Sequence, residues 1–317
     1  MHARVESTRP GSILWGSSSA VLCLVGLTAA CLLLLRVTDV YLHPQFWAED
    51  GGIFFQQQKT MGAAALVEPY AGYLHLVPRL TAIIASAFPS RYAPALYNCA
   101  ALAFTVWSAV TIASARYRFA WLGGLLLVAV PHQWGEVLGT ITNIQWLLAP
   151  ALAVVVATPT PLRPVARANQ VVFTVCAALS GPFSILAVPL CAARLWTERD
   201  RHSVVLAAIV VASAATQLTE AALTYERVAG VSAPFMAALT LLDRWFGTLA
   251  SGHMARSFPA VKALAVMVAA YGLALAFLRE RVHFSLLAFS ALMMAATWLK
   301  YLHGYPDYFD RGWYADR

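Results

Sequence analysis

Residues 46–79 read FWAEDGGIFFQQQKTMGAAALVEPYAGYLHLVPR, and the rest of the chain reads as scaffold around them. Glu49 and Asp50 adjoin Gly51-Gly52 just after the first membrane-length apolar run, and Glu68, His75 and Arg79 follow before the next. An ionised acid has no reason to sit beside lipid unless something polar meets it there. Acid/base or phosphate chemistry is therefore the functional expectation, with a solvated outer loop as the plain alternative.

Outward from that stretch, the chain is strongly apolar: 317 residues, 60% hydrophobic, 12% charged, with a mean hydropathy of +0.65. That balance excludes an ordinary soluble domain. The apolar windows are helix-length and rich in Leu, Ala and Val, unlike the short alternating segments of an outer-membrane barrel. The fold class is all-α, a polytopic membrane helical bundle. The net charge of +7 is spread in small basic groups between apolar runs, so no nucleic-acid partner is expected. Cys23, Cys31, Cys99, Cys176 and Cys191 lie in apolar runs without CxxC spacing, which reads as buried free thiols with neither metal nor disulfide.

About eight transmembrane spans are expected in a single integral membrane domain, 1–317. Arg4 and Arg9 precede the first span, Ile13 to Leu35, which places the N-terminus in the cytoplasm. The length of that run makes it an uncleaved helix. Residues 36–91 then form the first extracytoplasmic loop, which Pro44, Pro69, Pro78 and Pro89 divide into short interfacial helices. A span from Tyr92 to Ala115 returns to Arg116 and Arg118 inside. Phe119–Val130 and Ile144–Thr158 fall short of the roughly 20 residues of a straight crossing, so their outer ends sit within the membrane's depth against a protein cavity. Segment 170–193 has basic residues at both ends and Gly181-Pro182 at its middle. It reads as a re-entrant hairpin turning at Ser180–Ser184 with both ends cytoplasmic, a Pro-kinked full span being the alternative. Ser203–Leu223 goes out to a second large outer loop, 224–258, containing LLDRWFGTL. Ala260–Leu278 comes in, Phe284–Leu299 goes out, and the tail is left outside.

Asp50 and Glu49 are the strongest catalytic candidates, because a carboxylate there could take a proton from an acceptor hydroxyl as general base. Gly51 and Gly52 would let a ligand approach the backbone; for Asp50 the structural alternative is a helix N-cap. His75 and Arg79 lie four residues apart, with Pro78 favouring a break before Arg79, and as cations they could hold a phosphate. Lipid-headgroup snorkelling is the alternative for Arg79. His132, Glu136, Asn143 and Gln145 cluster in the loop between the two short helices, and Asp310 and Arg311 lie in a tail with Tyr308, Trp313 and Tyr314. That tail reads first as an aromatic interfacial belt. No metal-ligand spacing and no Ser/His/Asp constellation is evident.

At FWAEDGGIFF, AGYLHLVPRL, GEVLGTITNIQW and SGPF the chain resembles bacterial multi-pass glycosyltransferases of the GT-C superfamily with a WxEDG-type first loop. The likeness covers about residues 46–184, and the remainder only by topology. It implies an inverting transfer of a sugar from a polyprenyl-phosphate carrier to a glycan, lipid or protein acceptor on the outer face of the bacterial inner membrane, in cell-envelope synthesis. In this resemblance Asp50 is the general base with Glu49 beside it. Arg79 and His75 face the lipid phosphate, and Glu136 and Asn143 help shape the acceptor or sugar pocket; from their positions, Gln145 and Arg311 join these as substrate-binding candidates. No cofactor beyond the lipid-linked donor is implied, and a divalent metal is left open. The chain has fewer helices than superfamily members usually have, which leaves a truncated, non-catalytic homologue as one alternative. A transporter or flippase of a lipid-linked or small substrate is another, since broken helices and a re-entrant hairpin suit it too.

Overall fold

The computed structural model describes residues 18–129, 136–224 and 281–304, which are helical with no β-strand among them. The basic N-terminal flank, His132, the second outer loop beyond Thr224, the 260–278 span and Arg311 with the aromatic tail lie outside the described residues. The helices in chain order are α1 (Ser19–Arg36), α2 (Thr38–Leu42), α3 (Gln56–Met61), α4 (Leu76–Ser86), α5 (Ala93–Ala113), α6 (Ala120–Ala129), α7 (Gln145–Ala157), α8 (Pro164–Ala178), α9 (Phe183–Thr197), α10 (Arg201–Leu223) and α11 (Arg281–Gly304).

Three of the described helices are long and apolar enough to cross a membrane: Ser19–Arg36, Ser90–Ala113 and Arg201–Leu223. Two others that the sequence reads as spans are shorter, α6 with 10 residues and α7 with 13. Lipid is the natural neighbour of these helices. The first has a mean hydropathy of 2.2, yet only 17% of it is buried, and Leu24, Leu27 and Leu35 face outward. An all-round apolar helix with so little protein cover needs an apolar solvent. The same fact corrects the reading of the cysteines. Only Cys191 is buried; Cys23, Cys31 and Cys99 lie on exposed faces. In a membrane protein an apolar side chain need not face inward, because lipid serves it as well as a core does.

α7 is the axis of the bundle, buried at nearly every position from Leu147 to Val156. Small residues bring its neighbours close. Gly124 of α6 packs on α5 so tightly that a Cβ there would lie 2.4 Å from the Ala109 carbonyl oxygen, the small-residue contact that membrane helices favour. Hydroxyls within the long helices are satisfied locally: Thr105 donates to the Ala101 carbonyl and Ser108 to that of Phe104, as an apolar surround requires.

α8 and α9 form a hairpin whose turn at Ser180–Pro182 meets the segment after α3, while its open ends lie with the C-terminal end of α7. At the turn, the Leu179 carbonyl accepts from Leu76 N–H and the Ser180 hydroxyl from Val77 N–H. At the open end, Arg194 donates to the Val155 carbonyl, the Thr160 hydroxyl and the Ser203 hydroxyl. Ser203 and Thr160 in turn donate to Asp200, which caps α10 by accepting from His202 and Ser203 N–H. α10 ties the two ends together, with Ser203 beside Arg194 and Gln217 beside Leu74.

Candidate functional site

The site is built from the segment between α1 and α5, laid over the turn of the α8–α9 hairpin. Its prolines cut it as the sequence predicts at Pro44, Pro69 and Pro89. Pro78 departs from expectation: it lies in the first turn of α4 and breaks nothing. The N–H it lacks would have had no partner inside that turn, so proline fits there.

Asp50 opens a short π-helix, Asp50–Phe55, and caps nothing; its side chain turns to a distant part of the chain. Oδ1 accepts from the Thr142 backbone N–H at 3.0 Å and from the Thr142 hydroxyl. Asp50 is fully buried, and its other oxygen, Oδ2, has no hydrogen-bond partner among the described residues. Burial pushes the carboxyl up to about 6, against the pull of the Thr142 hydroxyl and the backbone of Thr142 and Ile141, with the Glu49 charge adding to the rise. A carboxylate so placed is still ionised at neutral pH and a stronger base than an exposed one. π-turns of this kind recur at functional sites.

Glu49 is half-buried and accepts from the Tyr70 hydroxyl at 3.4 Å. Gly51 packs under Phe46, whose ring atoms would lie 3.0 Å from an added Cβ, so its small size serves internal packing. Gly52 has open space over it.

His75 and Arg79 come together beside Phe54. The Arg79 guanidinium lies over the Phe54 ring at 4.8 Å and the imidazole centre is 5.3 Å from that ring. Arg79 is 1% exposed and donates from Nη2 to the Glu68 carbonyl at 2.9 Å, while Nε and Nη1 are unpartnered. No carboxylate lies within ion-pairing distance of it among the described residues. It therefore does not reach out to lipid headgroups.

His75 is 2% exposed, with Nε2 3.2 Å from the Tyr70 carbonyl and Nδ1 buried without a partner. Burial pulls it down to about 4; the Tyr70 carbonyl opposes that and the Arg79 charge adds to it. The ring is neutral at physiological pH, which corrects its expected role as a cation.

The other expected residues divide. Gln145 is buried, with an unpartnered Oε1, and packs against Gly181 at the hairpin turn. Asn143 donates to the Glu136 carbonyl at 2.7 Å and closes the 136–143 loop that delivers Thr142. The Glu136 side chain itself is exposed.

Four contributors were not singled out from the sequence: Thr142, which fixes Asp50; Tyr97, buried on α5 with an unpartnered hydroxyl; Ser180; and Gln217. Gln217 is fully buried and clasps the Leu74 backbone, accepting from its N–H at 2.8 Å and donating to its carbonyl at 3.3 Å. A glutamine inside a membrane-length run is itself a signal of such a role.

A second polar feature lies at the opposite end of the helices. There a cleft of about 400 Å³ is lined by Val156–Pro159, Leu190, Arg194, Glu198 and Phe284 among others. It is remote from Asp50, and three Arg194 nitrogens are already engaged in the α9–α10 junction. The buried ring of Asp50, His75, Arg79 and Tyr97 is the better candidate for chemistry. Among the described residues no three His, Cys, Asp or Glu side chains converge on a metal-sized point. Comparison of the chain with family models, curated proteins and solved structures finds no match.

Proposed function

We propose that the chain is a membrane glycosyltransferase that moves a sugar from a polyprenyl-phosphate carrier to a hydroxyl acceptor on the extracytoplasmic face. One observation carries this reading: in the segment that follows the first membrane helix, Asp50 is wholly buried, gripped by Thr142 through one oxygen and unoccupied at the other. Such a carboxylate is oriented, desolvated and free at a single atom, as a general base must be.

In the proposed reaction Oδ2 takes the proton of an acceptor hydroxyl while that oxygen forms a bond to the anomeric carbon. The bond from that carbon to the carrier's phosphate oxygen breaks on the opposite face, so the configuration inverts. The departing phosphate carries the charge away. Arg79, buried and without a carboxylate partner, meets that charge through Nε and Nη1. Arg4 and Arg9 before the first helix support a cytoplasmic N-terminus by the positive-inside rule, and in this reading the layer that follows that helix faces outward. The transporter reading draws on the cleft at the Arg194 end, which sets a second polar feature at the far end of the same helices.

Transfer of radiolabelled sugar from polyprenyl-phosphate donors decides between them, in membranes matched for expression of wild type and Asp50→Asn. Label reaching an acceptor with wild type, and falling by about 10²-fold or more in the variant, is the expected result. Absence of transfer from every donor with inserted, folded protein would overturn the transferase.

A further inference from the structure

His75 carries more information than its place beside Arg79. Its Nε2 lies 3.2 Å from the Tyr70 carbonyl, and a carbonyl oxygen only accepts, so Nε2 bears the proton. A neutral ring with that tautomer leaves Nδ1 as a bare lone pair. That atom is buried and has no partner. The imidazole sits in a box of rings, its centre 4.7 Å from that of Tyr73, 5.3 Å from that of Phe54 and 5.7 Å from that of Tyr70.

A lone pair cannot bind the oxygen of an ionised phosphate; the two repel. It binds a donor. Arg79, one turn along the chain, has the opposite need, with two donor nitrogens, Nε and Nη1, unpartnered and a positive charge. A ligand that satisfies both presents a hydroxyl to His75 and an acceptor, neutral or anionic, to Arg79. The aromatic walls add a requirement for an apolar ring face, which a pyranose supplies through its axial C–H groups.

We propose that His75 selects the glycosyl unit of the ligand by accepting a hydrogen bond from one of its ring hydroxyls at Nδ1, and takes no part in holding phosphate. This rests on the transferase reading for the identity of the ligand and deepens it: Arg79 reads the phosphate and His75 reads the sugar. Nδ1 is covered as the site stands, so the rings of Tyr70 and Tyr73 part to admit the hydroxyl. Both belong to the tight turn at Ala71-Gly72, in which both central residues have positive φ (51° and 88°).

The test uses the full chain in phosphatidylcholine nanodiscs with ¹⁵N-labelled histidine. The probes are octyl glucoside below its micelle-forming concentration, as a neutral polyhydroxyl head, and decyl phosphate, as an anionic head. Octyl glucoside is expected to move the His75 Nδ1 resonance from its free, unprotonated position, and decyl phosphate to leave it there. His75→Phe should weaken octyl glucoside binding about tenfold, the worth of one buried hydrogen bond, and spare decyl phosphate. His75→Gln, which keeps a donor and an acceptor on a side chain of similar reach, should recover part of the loss and shows that the change is not mere unfolding. An Nδ1 signal unmoved by the glucoside, or moved equally by the phosphate, would overturn the assignment. The transferase is judged separately by label transfer. Transfer that proceeds in His75→Phe with unaltered preference among deoxy-sugar donors removes the role of His75 and keeps the enzyme. A glucoside response in a chain that transfers no sugar keeps the binding site and removes the enzyme.

Discussion

Asp50→Asn is expected to make the folded protein more stable at pH 8 than the wild type, and the advantage should disappear toward pH 4. Burial raises the Asp50 carboxyl from its ordinary 3.8 to about 6. A raised acid contributes stability that is fully present below the unfolded value and is lost as pH rises through the folded one. The native state holds the proton over that window while the unfolded chain has already released it. A rise of about two pH units, at about 1.4 kcal/mol each, gives a loss of about 3 kcal/mol between pH 4 and pH 7. Asparagine is isosteric, and its amide oxygen can accept from the Thr142 N–H and hydroxyl as Oδ1 does, without a charge to desolvate. The variant should therefore lack the loss. The assay is denaturant unfolding of both proteins in the same mixed micelles from pH 4 to pH 8, taking the difference at each pH so that every other titrating group cancels. A difference that is flat with pH, or that favours wild type increasingly as pH rises, would refute the desolvated-carboxylate argument, whatever the variant does to activity.

Gln217→Leu removes both hydrogen bonds to Leu74 and strands a buried N–H, so it should cost about 1–3 kcal/mol by denaturant unfolding and lower transfer through misplacement of His75. Gly181→Ala should sharply reduce the yield of folded protein in a size-exclusion assay. Its φ is +133° and its Cβ would lie 2.2 Å from Gln145 Oε1. Adding Gln145→Ala relieves the clash and leaves the backbone strain, so recovery should be partial. Arg79→Met should change unfolding stability by less than about 2 kcal/mol, because it breaks no ion pair, and the one hydrogen bond and the cation contact on the Phe54 ring that it loses are offset by no longer burying a charge. Label transfer should fall about 10²-fold or more in the same protein. A stable variant with full activity would remove Arg79 from the mechanism.

The membrane class of the fold was legible because apolar windows of helix length have few physical readings, and Pro44, Pro69 and Pro89, though not Pro78, marked breaks between the short helices of the 36–91 segment. The break at Gly181-Pro182 was legible for a similar reason, since no helix continues through that pair undisturbed. The number of crossings was not. α6 and α7 are too short to be read as spans by length alone, and their depth depends on what packs beside them. Asp50, His75 and Arg79 stood out as ionisable residues in an apolar chain. Their states did not, because those come from contacts far off in sequence: Thr142 reaches Asp50 across 92 residues, and Gln217 reaches Leu74 across 143. His75 shows the limit most clearly. Its type suggested a cation, while its burial and one backbone carbonyl make it a neutral acceptor.

The arrangement of charge in the ring also argues for work beyond folding. Asp50 and Arg79 are both buried and opposite in sign, yet they are not paired. Phe54, one turn after Asp50, carries Arg79 on its ring face. Pairing them would recover part of the desolvation cost that each now carries alone. It would also pull the Asp50 carboxyl down toward or below its ordinary range and consume the free N–H groups of Arg79, leaving neither a base nor an anion site. Holding the two apart keeps one able to take a proton and the other able to receive negative charge. That division suits a reaction in which a hydroxyl is deprotonated at one end of the ligand while a phosphate departs from the other.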